Sequence, residues 1–234
     1  MSYNVEYKDI GLKPYKEAWD YQEAIFNKLL NKKKISSRNR LIPDDYDSGI
    51  LIFTEHNHVY TLGKSGSGAN LLIDNNQLKA SGVEFYRTDR GGDITYHGPG
   101  QIVGYPVFDL EVIQIGLKDY VHRLEEAIIL TLAGLGLSGS RLNGATGVWL
   151  DPDRPGKARK ICAIGVKASR HITMHGFAFN INTDLSFFGF INPCGYTDKG
   201  VTSLEKELGM KQDIEDIKER VKKNLKEVFD LNWV

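Results

Sequence analysis

Apolar residues recur at helical spacing from Pro14 to Leu30: Tyr15, Ala18, Trp19, Ile25, Phe26, Leu29 and Leu30. With proline placed where a first turn tolerates it, this pattern predicts an amphipathic helix. A second helix is predicted from about Leu117 to Ala133 through Val121, Leu124, Ala127, Ile128 and Leu132, with GLGLSG as its stop. A third lies near the C-terminus, where Ile214, Ile217, Val221, Leu225 and Val228 share one face and Lys and Glu cover the other.

Between these helices the periodicity shortens to that of strands, in runs rich in β-branched and aromatic residues. They are GILIFTE, HVYTLG, VEFYRTD, QIVGYPVFDL, GVWLD, KICAIGVKAS and ITMHGFAFNIN. DPDRPGK joins the fifth run to the sixth and SRH joins the sixth to the seventh, so residues 147 to 182 read as an antiparallel meander. KSGSGAN, at 64 to 70, is the best candidate for a mobile loop.

A chain of 234 residues with this alternation fits a single α/β domain spanning 1 to 234. Lys plus Arg and Asp plus Glu number 30 each, and a net charge of zero argues against general nucleic-acid binding. No apolar run approaches a membrane span and the start MSYNVEYKDI is unlike a signal peptide, so the chain reads as cytosolic. Two cysteines, Cys162 and Cys194, are too few for a disulfide framework.

The densest local signal is RGGDITYHGPGQ, residues 90 to 101, with four glycines, a proline and a histidine. It fits neither a Walker A loop nor a dinucleotide fingerprint, and it leads into a strand rather than a helix. What remains is a cleft wall with a cation at Arg90, an imidazole at His97 and an amide at Gln101, or a decorated hairpin. His56 and His58 are expected on one side of a strand and His171 lies close to His175, but no carboxylates complete a three-ligand set, so no metal is expected.

Cys162, in the apolar alternation KICAIGV, reads as core. Cys194 sits in the polar turn NPCG, where a substrate can reach a thiol. A nucleophilic thiol needs a cationic neighbour, because free cysteine is mostly un-ionised at neutral pH. Lys160 is one of several lysines that could serve.

RGGDITYHGPGQIVGYPVFDL at 90 to 110, GATGVWL at 144 to 150, RKICAIGVKASRHITMHGFAFNIN at 159 to 182, and INPCG followed by GVTSL at 191 to 204 closely resemble the lipoyl(octanoyl) transferase family. The resemblance runs from about Gly49 to Leu204. It implies an α/β fold like that of biotin and lipoate protein ligases, with a larger and a smaller mixed or antiparallel sheet and flanking helices. It implies transfer of an octanoyl or lipoyl group from the phosphopantetheine thioester of acyl carrier protein to a lysine of lipoate-dependent subunits. Those acceptors are lipoyl domains of 2-oxoacid dehydrogenases or the glycine-cleavage H protein. No cofactor and no ATP enter that reaction.

The resemblance also assigns residues. The family nucleophile maps onto Cys194 and its partner lysine onto Lys160. Its substrate-binding segments map onto Arg90, Gly91, Gly92, Asp93, Ile94, Thr95, Tyr96 and His97, onto Ala163, Ile164 and Gly165, and onto Gly176, Phe177 and Ala178. Gly165, Gly176 and Ala178 are expected to keep the strand faces low for the acyl chain, and the glycine loop to close over it. The basic residues Arg154, Lys157, Arg159, Lys160, Lys167 and Arg170 are expected to help dock an acidic carrier. A monomer with no nucleic-acid or membrane partner is the expectation. The competing readings are an ATP-dependent lipoate or biotin protein ligase and a non-catalytic acyl-binding module of the same fold.

Overall fold

The computed structural model describes residues 2–39, 48–193 and 199–234. All seven predicted strand runs form strands: β2 (Gly49–His56), β3 (Val59–Leu62), β4 (Glu84–Arg87), β6 (Gln101–Phe108), β8 (Ala145–Leu150), β9 (Arg159–Ser169) and β10 (Ile172–Asn180). The pattern did not reveal β1 (Tyr3–Lys13), β5 (Ile94–His97), β7 (Gly139–Leu142), β11 (Gly200–Val201) and β12 (Leu231–Trp233). The helices are α1 (Tyr15–Asn39), α2 (Asn75–Ala80), α3 (Leu117–Ala133), α4 (Leu204–Leu208) and α5 (Ile214–Phe229).

The strands form two sheets. The larger runs β12-β1-β2-β6-β10-β9-β8-β7, with β11 added in parallel to β9, and the smaller runs β4-β3-β5. Consecutive antiparallel pairing of β8, β9 and β10 makes the predicted meander. Its second turn is tight: Ser169 pairs with Ile172, leaving only Arg170 and His171 at φ of 49° and 66°. Two left-handed residues match the right-handed twist of a hairpin, a conformation usually given to Asn and Gly.

Central strands β6 and β10 are buried along their whole length, because helices cover both faces of the sheet. On one face Leu124, Ala127 and Ile128 of α3 pack with Ile217, Val221 and Leu225 of α5 against Leu51, Phe53 and Phe179. On the other, Ala18, Phe26 and Leu29 of α1 cover Ile52, Val103 and Ala178. The three-stranded sheet has its own core of Tyr60, Leu62, Ile94 and Tyr96. No helix among the described residues is long and apolar enough to cross a membrane.

Two sequence expectations change here. His56 ends β2, whereas His58 falls in the turn before β3, so the two imidazoles do not share a strand face. The segment 64–70 is laced to the glycine loop: Lys64 N–H donates to Arg90 O at 2.9 Å, Ser65 N–H to Gly92 O at 3.2 Å, and the Asn70 amide to Asp93.

Candidate active site

Where the small sheet meets β6, β9 and β10, the structure holds a cavity of about 280 Å³. The predicted segments 90–97, 163–165 and 176–178 wall it together with Lys160, apart from Gly91 and Tyr96. Tyr96 alternates away because ITYH is a strand. Its ring stacks on Phe187 at 5.0 Å inside the small core, while Thr95 and His97 face the cavity. Gly91 instead fastens the loop, its N–H donating to Val166 O of β9 at 2.8 Å. The glycine loop is therefore held as a wall of the cavity by backbone hydrogen bonds to β9 and to segment 64–70.

The glycines on the floor answer to neighbouring backbone. A Cβ on Gly165 would stand 2.8 Å from Gly91 O, and one on Gly176 only 2.1 Å from Gly104 O. Both positions also line the cavity, but close approach of main chains requires glycine at Gly176 independently of any ligand.

One hydrogen-bond chain runs through the wall, and chemistry fixes its direction. Arg90 Nη2 donates to the Thr61 carbonyl at 2.6 Å and to Thr61 Oγ1 at 3.0 Å. The Thr61 hydroxyl then donates to His97 Nε2 at 3.2 Å, and His97 Nδ1–H donates to Gln101 Oε1 at 2.8 Å. The Gln101 amide donates to Tyr96 O and to Asn180 Oδ1, and the Asn180 amide donates to Thr202 O just beyond β11. Burial, with His56 nearby, pushes the His97 imidazole well below its usual range, so it stays neutral and holds this one tautomer. His97 braces the wall. The sequence flagged Arg90, His97 and Gln101; Thr61 lies outside the family-like stretches, and Asn180 and Thr202, though inside those at 159–182 and 191–204, are given no role there.

A second group of rings backs this chain. Tyr15 stacks on His97 with centroids 5.9 Å apart. His56 is wholly buried, donating Nδ1–H to Lys13 O at 2.8 Å and accepting from the Tyr105 hydroxyl at 2.7 Å. Burial lowers it to about 4. His175 donates Nε2–H to Asp89 at 2.8 Å, and although an ion pair is geometrically possible, burial outweighs the carboxylate and lowers the imidazole. That same hydrogen bond holds Asp89 far below the carboxylate range. His56, His97 and His175 are thus hydrogen-bonded side chains, although Nδ1 of His175 is buried without a partner among the described residues.

Lys160 lies at the other side of the cavity. Its Nζ donates to Thr146 O at 3.0 Å and stands 4.7 Å from the centre of the Trp149 ring. β11 pairs Val201 with Lys160, and both Val201 and Pro193 line the cavity. Cys194 lies outside the described residues. Cys162 is fully buried and burial raises its thiol, as befits core.

The proposed carrier-docking cluster is largely engaged within the molecule. Arg159 forms a two-pronged pair with Glu207 and also meets Asp151; Arg154 approaches Asp151 at 3.4 Å, and Lys167 meets Asp89. Lys160 turns toward the cavity, whereas Arg154, Lys157 and Arg170 remain exposed.

A family model for the lipoyl protein ligase A/B catalytic domain matches residues 14–226. The chain is 56% identical over 223 residues to an octanoyltransferase of Parabacteroides distasonis, covering 95% of this chain and 97% of that protein. It is 52% identical over 231 residues to an octanoyltransferase of Christiangramia forsetii, covering 98% and 97%. Its fold matches, with a TM-score of 0.70, a bi-partite lipoate protein ligase solved as part of a lipoylation system from Thermoplasma acidophilum. That likeness has 14% identity, covers 99% of this chain and 86% of that one, and concerns the fold: a large mixed sheet, a small sheet and flanking helices.

Proposed function

Because the chain belongs to the lipoyl protein ligase A/B catalytic-domain family, we propose that it moves an octanoyl group from a carrier-protein thioester to a lysine of a lipoyl domain, through a thioester on Cys194. The observation that carries this reading is the convergence on one cavity of Lys160 and of Pro193 and Val201, which flank the Cys194 turn in sequence.

The chemistry divides into two exchanges. Cys194 thiolate attacks the octanoyl carbonyl, the carrier sulfur leaves as thiolate and takes up a proton, and the acyl group now rests on Cys194. The acceptor amine then attacks that carbonyl, loses its proton, and expels the Cys194 thiolate. Trading one thioester for another is close to neutral and forming the amide is downhill, so ATP has no role. Lys160 as ammonium stabilises the thiolate, and the same group passes a proton out in the first exchange and back in the second. The cavity's apolar floor, with Val103, Ala163 and Ala178, supplies contact for the alkyl chain at about 0.8 kcal/mol per buried methylene.

The test incubates the protein with octanoyl-carrier and an apo lipoyl domain in the absence of ATP. Octanoylated lipoyl domain, with an octanoyl adduct on Cys194 by mass spectrometry that disappears in Cys194→Ser, is the expected result. Strict dependence on ATP and free octanoate would replace this reading with a ligase. An adduct-free protein that binds the acyl carrier without turnover would replace it with a binding module.

A further inference from the structure

Glu125 is a carboxylate on the buried side of α3, beside Leu124, Ala127 and Ile128, and only 8% exposed. A charge there requires full hydrogen bonding. One oxygen, Oε1, accepts the Gly147 N–H at 2.9 Å, and Oε2 accepts Arg141 Nε at 3.0 Å. Arg141 is itself held by Glu126 at 2.7 Å and by the His122 carbonyl at 2.9 Å. The guanidinium thus fixes the Glu125 rotamer, and Glu125 fixes Gly147.

Gly147 in turn fixes the lysine's surroundings. Its φ is +118°, and a Cβ there would stand 2.5 Å from the Cys162 carbonyl, so this stretch lies flat against β9. The preceding carbonyl, Thr146 O, is the acceptor for Lys160 Nζ. The carbonyl before that, Ala145 O, accepts the Trp149 indole N–H at 2.9 Å, and the Trp149 ring underlies the same ammonium. Two consecutive carbonyls anchored at Gly147 therefore place these two contacts of Lys160.

We propose that Glu125 is a positioning residue for Lys160, acting through the Gly147 N–H and the Thr146 carbonyl. The role rests on Lys160 being the proton-transfer group of the proposed reaction. It is geometric: what matters is an acceptor at the position of Oε1, not the negative charge.

Two substitutions separate these properties. Glu125→Gln keeps an acceptor for the Gly147 N–H at the same reach and removes the charge; its NH2 then faces Arg141 Nε–H, and the partly exposed guanidinium turns that N–H to water while keeping Glu126 and the His122 carbonyl. Glu125→Asp keeps the charge and withdraws the acceptor by one methylene, shifting the turn or breaking the bond. A displacement on the order of 1 Å at a reacting group is enough to lower kcat for Glu125→Asp about tenfold or more. KM for the octanoyl-carrier and the lipoyl domain should stay within about twofold, because neither substrate touches Glu125. Glu125→Gln should retain kcat within about threefold, the signature of rescue by geometry.

Unchanged kcat in Glu125→Asp, or equal losses in both variants, would overturn the proposal, the second outcome pointing to charge or fold. If Glu125→Asp does not fold, Arg141→Met, which releases the Glu125 rotamer without removing its acceptor, takes its place; an undiminished kcat there would also overturn it. Lys160→Ala, assayed in parallel, distinguishes the two levels. If that variant retains full kcat, the catalytic reading of Lys160 fails; if it is inactive while Glu125→Asp is normal, only the positioning role fails.

Discussion

Acidification from pH 8 to pH 5 should destabilise this fold before its carboxylates titrate. His56 is neutral in the folded chain, both ring nitrogens are engaged, and burial lowers its pKa to about 4 from an ordinary 6.5. A folded pKa below the unfolded one means that the unfolded chain binds the extra proton, so stability is present above about 6.5 and is lost as pH falls toward 4. At pH 5 the unfolded imidazole is almost fully protonated and the folded one almost fully neutral, a difference of about 2 kcal/mol for His56 alone. His97 and His175 are lowered in the same direction and add to the loss. Asp89 and Glu207 are held below their ordinary values, and their contribution disappears only at lower pH. Urea unfolding at pH 8, 7, 6 and 5, followed by circular dichroism, measures the slope. His56→Asn, whose amide can still donate to Lys13 O, should lower stability at pH 8 but lose about 2 kcal/mol less than the parent on going to pH 5. Equal losses in the two proteins would refute the assignment of His56 as a buried neutral base.

Two structural substitutions have definite signs. Gln101→Met leaves His97 Nδ1–H, Asn180 Oδ1 and the Tyr96 carbonyl without the hydrogen bonds that Gln101 supplies, and stranding these buried groups should cost about 2 to 5 kcal/mol in the same urea assay. Gly176→Ala drives a methyl to 2.1 Å from Gly104 O and 2.6 Å from the Pro106 ring, so a loss of about 1 to 3 kcal/mol or failure to accumulate is expected; a thermal midpoint equal to the parent's would contradict the packing described.

The contrast between the elements that sequence reveals and those it hides follows from burial. β6 and β10 sit under helices on both faces and read as apolar runs, so QIVGYPVF and ITMHGFAFN are plain. β1 has only Val5 buried and carries charge along much of its length; its strand character comes from parallel pairing with β2 and β12, a partnership local composition does not encode. β5 is hidden for another reason: ITYH is only four residues long and enclosed by glycines, so the glycine density dominates the reading although Ile94 and Tyr96 belong to the small core. α2 did carry a signal in Asp74 and Gln77, which form a reciprocal capping box.

At the site, motif-bearing residues were visible and their supports were not. Lys160 and the segments 90–97, 163–165 and 176–178 lie in the family-like stretches and are assigned roles there, whereas Thr146, inside GATGVWL, is given none and Glu125 and Arg141 lie outside every such stretch and join the site only through folding. Glu125 offered one clue, a carboxylate interrupting the apolar face that Leu124 and Ile128 define on α3.

The hydrogen-bond chain from Arg90 to Thr202 has both ends closed. Arg90 can only give protons to hydrogen bonds, and the Thr202 carbonyl can only receive them. No hydroxyl rotation or amide flip between them reverses the order without setting donor against donor. The wall consequently presents a fixed pattern of dipoles to the cavity, and a proton passed along it would have to reverse that pattern, which sets His97, for all its familiarity as an acid or base, apart from the proton transfers of the proposed exchanges.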